Sequence, residues 1–343
     1  ISRTGKSRTP GGSPMAPLPL TIAINDYDHV RDLLTGRVEA EGIALTALNF
    51  TVEEIFYRFV NFREWDISEM SMGKYVSLRA GGDESVIAIP VFPSRVFRHS
   101  GIYVRSDGPV KSPGDLRGKR VGVPEWSQTA VVYMMGMLTE EYGLKLQDIE
   151  WVQAGVSTPG RTETAHLAIP AGVRLTRVSD KSLDGMLLSG EIDAALSANP
   201  PRSIHERNPA MRRLFENYAE VERAYFRKTG IFPIMHTVAL KREVYERNRW
   251  IAMNLMTGFE QAKSRSLARL REINTARIPL PWLPTATAEI TALMGEDFWP
   301  YGAEANRKTL EAFLRFAHAT GVCKRLLEVE ELFAPETASR FRV

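Results

Sequence analysis

Twice in succession the chain runs through short apolar strands alternating with amphipathic helices, and this restricts it to layered α/β architectures more than any other feature. In the first pass, LTIAIN (20–25) reads as a buried strand, YDHVRDLLTG as a short helix ending near Gly36, and IALTALNF (43–50) as a second strand. TVEEIFYRFVNF then repeats Val52, Ile55, Phe56 and Phe59 at helical spacing, WDISEMS follows as a strand, and KYVSLRAGG as a helix stopped by Gly81 and Gly82. The second pass begins near residue 106. Ser112 is an N-cap with Pro113 at the first helical position, a one-turn helix ends at Gly118, and KRVGVP is the next strand. The following helix carries Val131, Met134, Met135 and Leu138 on one face, with Gly143 past its end. DIEWVQAG and IDAAL are further strands, separated by a helix ending at Gly190.

After residue 240 the pattern becomes helical, over about 241–271, 286–296 and 304–319. Pro279, Pro281 and Pro284 make 273–284 a connection rather than a helix. The methionines at 134, 135 and 137 read as helix core.

At 343 residues and 44% hydrophobic, the chain can bury a large core in about two domains, as an ordinary soluble globular protein. Its 44 basic and 41 acidic side chains are spread along the whole length, which leaves no basic stripe to track phosphates and argues against nucleic acid as a partner. Cys323, the only cysteine, excludes an internal disulfide, and no CxxC or Cys/His cluster has zinc spacing. No run of 18 apolar residues spans a bilayer, so no membrane is expected. Residues 1–19, basic and rich in Ser, Gly and Pro, read as a disordered leader with Met15 as the native start, and the expected location is cytoplasmic.

SPGDLRGKRVGVPE and MLLSGEIDAAL resemble the bilobal, type II periplasmic-binding-protein-like fold. PVFPSRVFRHSGIYVR, TGIFPIMHTVAL and FWPYGAEANRKTLEAFLRFAHATG are similar to the 4,5-dihydroxyphthalate decarboxylase family, and the resemblance covers about residues 20–335. It implies two α/β lobes, 20–104 with 231–343 and 105–230, a helical C-terminal segment, and two crossover strands near SGIYVR and TGIFPIMHTVAL. Ligand would lie between the lobes at the C-terminal ends of strands. The implied activity is decarboxylation of a hydroxylated aromatic dicarboxylate, most simply 4,5-dihydroxyphthalate to protocatechuate.

Such a reaction needs a base for the phenol, an acid for the ring carbon, and cations or helix N-termini for the carboxylates. SRVFRHS offers Arg95, Arg98, His99 and Ser100; an arginine can hold a carboxylate bidentately and a histidine exchanges protons near neutrality. His236 lies in the segment most characteristic of the family, although strand alternation also puts it in phase with Ile234, Val238 and Leu240, as a core histidine would be. Glu69 ends a strand, as a cleft carboxylate or as helix N-terminal stabilisation. Ser127, Gln128 and Thr129 open a helix whose free N–H groups could receive a carboxylate, or simply cap it.

Asn25, Asp26 and Asn199 map to cleft edges, or shape turns. Arg161 and Glu163 lie in a loop that could set substrate choice. Trp299, Tyr301 and Asn306 read as packing of the tail onto the first lobe.

No organic cofactor is expected, because no nucleotide or pyridoxal motif occurs. A divalent metal is left open, as are which histidine is acid and which is base, the ring's substitution pattern, and a homo-oligomer. The rival reading is a non-catalytic solute-binding protein for a small carboxylate, since fold alone does not decide function.

Overall fold

The computed structural model of the protein describes residues 16–160, 163 and 165–338. Its strands are β1 (Leu18–Ala23), β2 (Ile43–Leu48), β3 (Ile67–Ser71), β4 (Val86–Ile89), β5 (Ile102–Arg105), β6 (Arg120–Val123), β7 (Glu150–Gly155), β8 (Arg174–Ser182), β9 (Ala194–Leu196), β10 (Met211–Arg213) and β11 (His236–Lys241). They form two sheets, of order β2-β1-β3-β11-β4 and β10-β5-β9-β6-β7-β8, with helices packed against them. This is the bilobal α/β arrangement expected from the sequence.

In the first sheet β1, β2 and β3 are parallel, and β11 returns antiparallel between β3 and β4. In the second, β9, β6, β7 and β8 are parallel, whereas β5 runs antiparallel between β9 and β10. Parallel ladders put the C-terminal ends of several strands at one edge of each sheet. That edge carries Asn25, Ser71 and the start of β11 in one lobe, and Ser127 and Asn199 in the other.

Two expectations need correction. Leu18 and Pro19, expected to belong to a disordered leader over 1–19, instead pair with Ile43 and Ala44 in β1; residues 1–15 lie outside the described residues. Near the two segments expected as crossovers the chain pairs with itself, where Arg95 bridges Ile234 and Met235 donates its N–H to the Ser94 carbonyl. The helix expected over 241–271 is broken into Arg242–Arg247 and Ile251–Arg271, with Asn248 leaving helical geometry between them. Strands β4, β8 and β10 lacked a legible signal. β4 is buried throughout and so shows no alternation, β8 is a largely exposed edge strand, and β10 has three residues.

One apolar core joins the two lobes. Helix Thr129–Tyr142 packs on helix Arg307–Ala319, with the Tyr133 ring stacked on Phe313 at 4.8 Å. Gly136 allows this approach, since a Cβ there would meet Phe316 at 2.2 Å. Trp126 donates its indole N–H to the Thr320 carbonyl at 2.7 Å. Among the described residues no helix is long and apolar enough to cross a membrane.

Candidate active site

In the middle of β3, and not at a strand end as the sequence suggested, the chain presents Glu69, fully buried, a position that isolates a charge from water unless partners compensate it. Three donors do so. The Asn25 backbone N–H reaches Oε2 at 3.0 Å, and Oε1 accepts from the Tyr27 hydroxyl at 2.6 Å and from His236 Nδ1 at 2.6 Å. The segment that follows β1 supplies the first two groups and the start of β11 the third, so the constellation exists only because β3 lies between β1 and β11.

A carboxylate offers lone pairs only, so the His236 proton sits on Nδ1 and the Nε2 lone pair is left free. Nε2 has no protein partner among the described residues, and the His236 side chain is 17% exposed beside a Glu69 that is closed to solvent. The Phe56 ring meets the imidazole edge-on at 4.8 Å and fixes its plane. Burial, and then the Glu69 charge, push the Tyr27 phenol far above its ordinary range, which keeps it protonated as a donor. Tyr27 was not singled out in the sequence, although its neighbours Asn25 and Asp26 were; a phenol directly after a strand end was the signal available.

Glu69 and His236, proposed from sequence, are therefore brought together, and His99 is not among their contacts. It is buried between Phe215 and Tyr225, with ring centroids at 5.4 and 5.1 Å, and burial lowers it to about 4. The structure thus sets His99 apart from the Glu69–His236 pair, within an aromatic enclosure. Arg95 is likewise buried. It donates to the carbonyls of Phe232 and Pro300 and to Asn306 Oδ1, tying the crossings to the C-terminal segment instead of facing a substrate. Trp299 and Asn306 pack there as expected, with the Trp299 indole on the Phe92 carbonyl at 2.9 Å. Arg98 differs, because its Nε lies 3.1 Å from Met235 Sδ and no carboxylate of the described residues is within ion-pairing distance.

The helix N-terminus expected to receive a carboxylate does hold one, but it is the protein's own. Glu163 accepts from the Ser127 N–H at 3.0 Å, the Ser127 hydroxyl at 2.7 Å and Lys74 Nζ at 2.9 Å. Burial raises its carboxyl, and the Lys74 charge and the Ser127 donors outweigh that and hold it below the ordinary range. Lys74 also pairs with Glu125 at 3.1 Å. Ser127 is thus committed to Glu163, and Thr129 to a lobe contact, accepting from the Gly73 N–H at 2.9 Å and meeting Ser71 Oγ at 3.0 Å.

Asp26 faces outward in a bidentate pair with Arg31, at 2.8 and 3.1 Å. Asn199 reaches across to Glu53 of the other lobe at 3.4 Å. Arg161 lies outside the described residues. Among those described, no three His, Cys, Asp or Glu side chains converge as a metal set.

The model of the NMT1/THI5 like family matches residues 96–171. The chain is 37% identical over 330 residues to the 4,5-dihydroxyphthalate decarboxylase of Comamonas testosteroni, covering 96% of this chain and 100% of that one. In three dimensions it is similar to the periplasmic aliphatic sulphonate binding protein SsuA from Escherichia coli, with a TM-score of 0.53 and 14% identity over 94% of this chain and 99% of that one. It is similar to the desulfurization enzyme DSZB to a comparable degree, with a TM-score of 0.51 and 14% identity over 94% and 97% of the two chains. These structural likenesses establish the fold, which carries both a binding protein and an enzyme. The sequence match is of another order, and on it the protein belongs to the 4,5-dihydroxyphthalate decarboxylase family.

Proposed function

We propose that the protein decarboxylates 4,5-dihydroxyphthalate to protocatechuate and CO2, with His236 as the proton carrier. Family membership supports the reaction. The observation that carries the assignment of the residue is the 2.6 Å contact between His236 Nδ1 and a fully buried Glu69, which leaves Nε2 as the reactive nitrogen.

Direct loss of CO2 would leave an aryl carbanion too basic to form. Each carboxylate of this substrate has a hydroxyl para to it, and ionising that hydroxyl drives electron density onto the carboxylate-bearing carbon. That carbon takes up a proton, the bond to the carboxylate breaks with its electron pair returning to the ring, and CO2 departs neutral. His236 Nε2 accepts a proton or, once charged, delivers one, and the Glu69 carboxylate stabilises the imidazolium. Tyr27 is a positioning residue, donating to the same Glu69 oxygen that His236 Nδ1 contacts, with its hydroxyl 3.4 Å from that nitrogen.

The ring is its own electron source, so this reading uses no organic cofactor. We place the enzyme in the cytoplasm on the sequence argument above. The test is to supply 4,5-dihydroxyphthalate to chelator-treated protein, with and without divalent metal, and to follow protocatechuate by chromatography together with released CO2. Stoichiometric products support the reading, and dependence on added metal would add an ion to it. Binding without turnover would overturn it in favour of a solute-binding protein.

A further inference from the structure

Two arginines at the strand-end edge of the second sheet have no carboxylate of the described residues within ion-pairing distance. Arg98 is half-buried, with its Nε on Met235 Sδ at 3.1 Å, one residue before the proton-carrying histidine. Arg213, the last residue of β10, is also half-buried and donates from Nε to the Ser100 carbonyl at 3.0 Å. Tyr103 of β5 is paired in register with Arg213, whose guanidinium lies 5.9 Å from its ring centroid and 5.2 Å from that of Tyr218. Burial raises the Tyr103 phenol, and the charges of Arg213 and Arg98 counter it, so both arginines act on this one group. The turn they flank, His99–Gly101, is pinned to the end of β9, where the Ser197 N–H donates to the Gly101 carbonyl at 3.0 Å. The arginines therefore lie at the sheet edge that faces the other lobe. Glu222, which accepts the Ser100 N–H at 3.1 Å, offsets the Arg98 charge only from beyond ion-pairing distance, so a bound anion would further offset the cost of burying the two guanidinium groups.

We infer that Arg98 and Arg213 form a subsite for the carboxylate that the substrate keeps, so that Arg213 determines specificity for a dicarboxylate. This rests on the reaction proposed above. A carboxylate that leaves as CO2 loses its charge on the way, so a cation bound to it would stabilise the ground state more than the transition state and slow the step. Arginine pairing is harmless only on the carboxylate that stays. The substrate's two carboxylates then divide, one held by this pair and the other lying toward His236.

Arg213→Gln tests this with two ligands that differ in a single group. Protocatechuate retains the carboxylate and catechol lacks it. The expected result is that Arg213→Gln weakens protocatechuate binding by roughly tenfold or more, leaves catechol within about twofold, and raises KM with kcat little changed, the mark of binding energy shared by ground and transition states. Equal effects on both ligands, or none, would overturn the subsite. Should the glutamine variant fail to fold, Arg213→Lys retains the charge without the planar fork, and a selective loss of several-fold for protocatechuate is expected. Phthalate, with both carboxylates and no hydroxyl, separates the two claims. Arg213-dependent phthalate binding in a protein that does not turn over 4,5-dihydroxyphthalate supports the subsite and sinks the reaction; normal turnover by Arg213→Gln with unchanged KM sinks the subsite alone.

Discussion

The question His236 posed in the sequence, core residue or site, turns on which atoms are satisfied. Its strand neighbours Val238 and Leu240 are fully buried, as alternation implied, while His236 itself stands half-buried at the start of β11 with one nitrogen on Glu69. A sequence cannot show that Glu69 in β3 and His236 at the start of β11, 167 residues apart, lie side by side. If Glu69 fixes the tautomer, Glu69→Gln presents an amide able to donate to Nδ1, the proton moves to Nε2, and kcat falls by about 100-fold or more with KM little altered. Steady-state kinetics on the folded variant check this; a loss confined to KM would make Glu69 a binding residue. Glu69 and His236 were legible as candidates because catalytic residue types stood in or next to expected strands. His99 and Arg95 met the same criterion and proved to be buried packing, a distinction that depends on neighbours such as Phe215, Tyr225 and Asn306 distant in sequence.

Among the elements, helix Thr129–Tyr142 was the most fully anticipated: its start, its buried methionines and its stop at Gly143 all follow from local signals. Its N-terminal anion seat was legible too, but not the occupant. Glu163 reaches it from the connection between β7 and β8 and, through Lys74, links that connection to both lobes. Glu163→Gln should release this link, because the neutral amide keeps the shape while losing the attraction of Lys74 and part of the helix N-terminal interaction. The expected outcome is faster amide hydrogen exchange at Ser127 and Ala165, whose N–H groups Glu163 accepts, with exchange in β1 and β3 unchanged. Unaltered protection at both amides would mean that the loop is held by other contacts.

Over the whole molecule, the shared core and the packing of the C-terminal helix on the second lobe make the two sheets one structural unit. Its acid stability is linked to two enclosed histidines. Burial lowers His29 and His99 to about 4 from an ordinary value of 6.5. Below about pH 6.5 the unfolded chain takes up protons that the folded one refuses until about pH 4, so stability falls across that window, by roughly 3 kcal/mol at most for each ring. Denaturant unfolding at pH 7 and pH 4.5 should show a smaller acid loss in His99→Phe than in the wild type; an identical loss would mean that His99 titrates freely. The architecture itself serves a binding protein and an enzyme equally well, and only the site distinguishes them. The most direct measurement is the rate of protocatechuate formation from 4,5-dihydroxyphthalate by wild-type protein and by His236→Ala of matched thermal stability. The account predicts steady turnover by the wild type and a loss of about 100-fold or more in the variant; equal rates, or no turnover by the wild type, would contradict it.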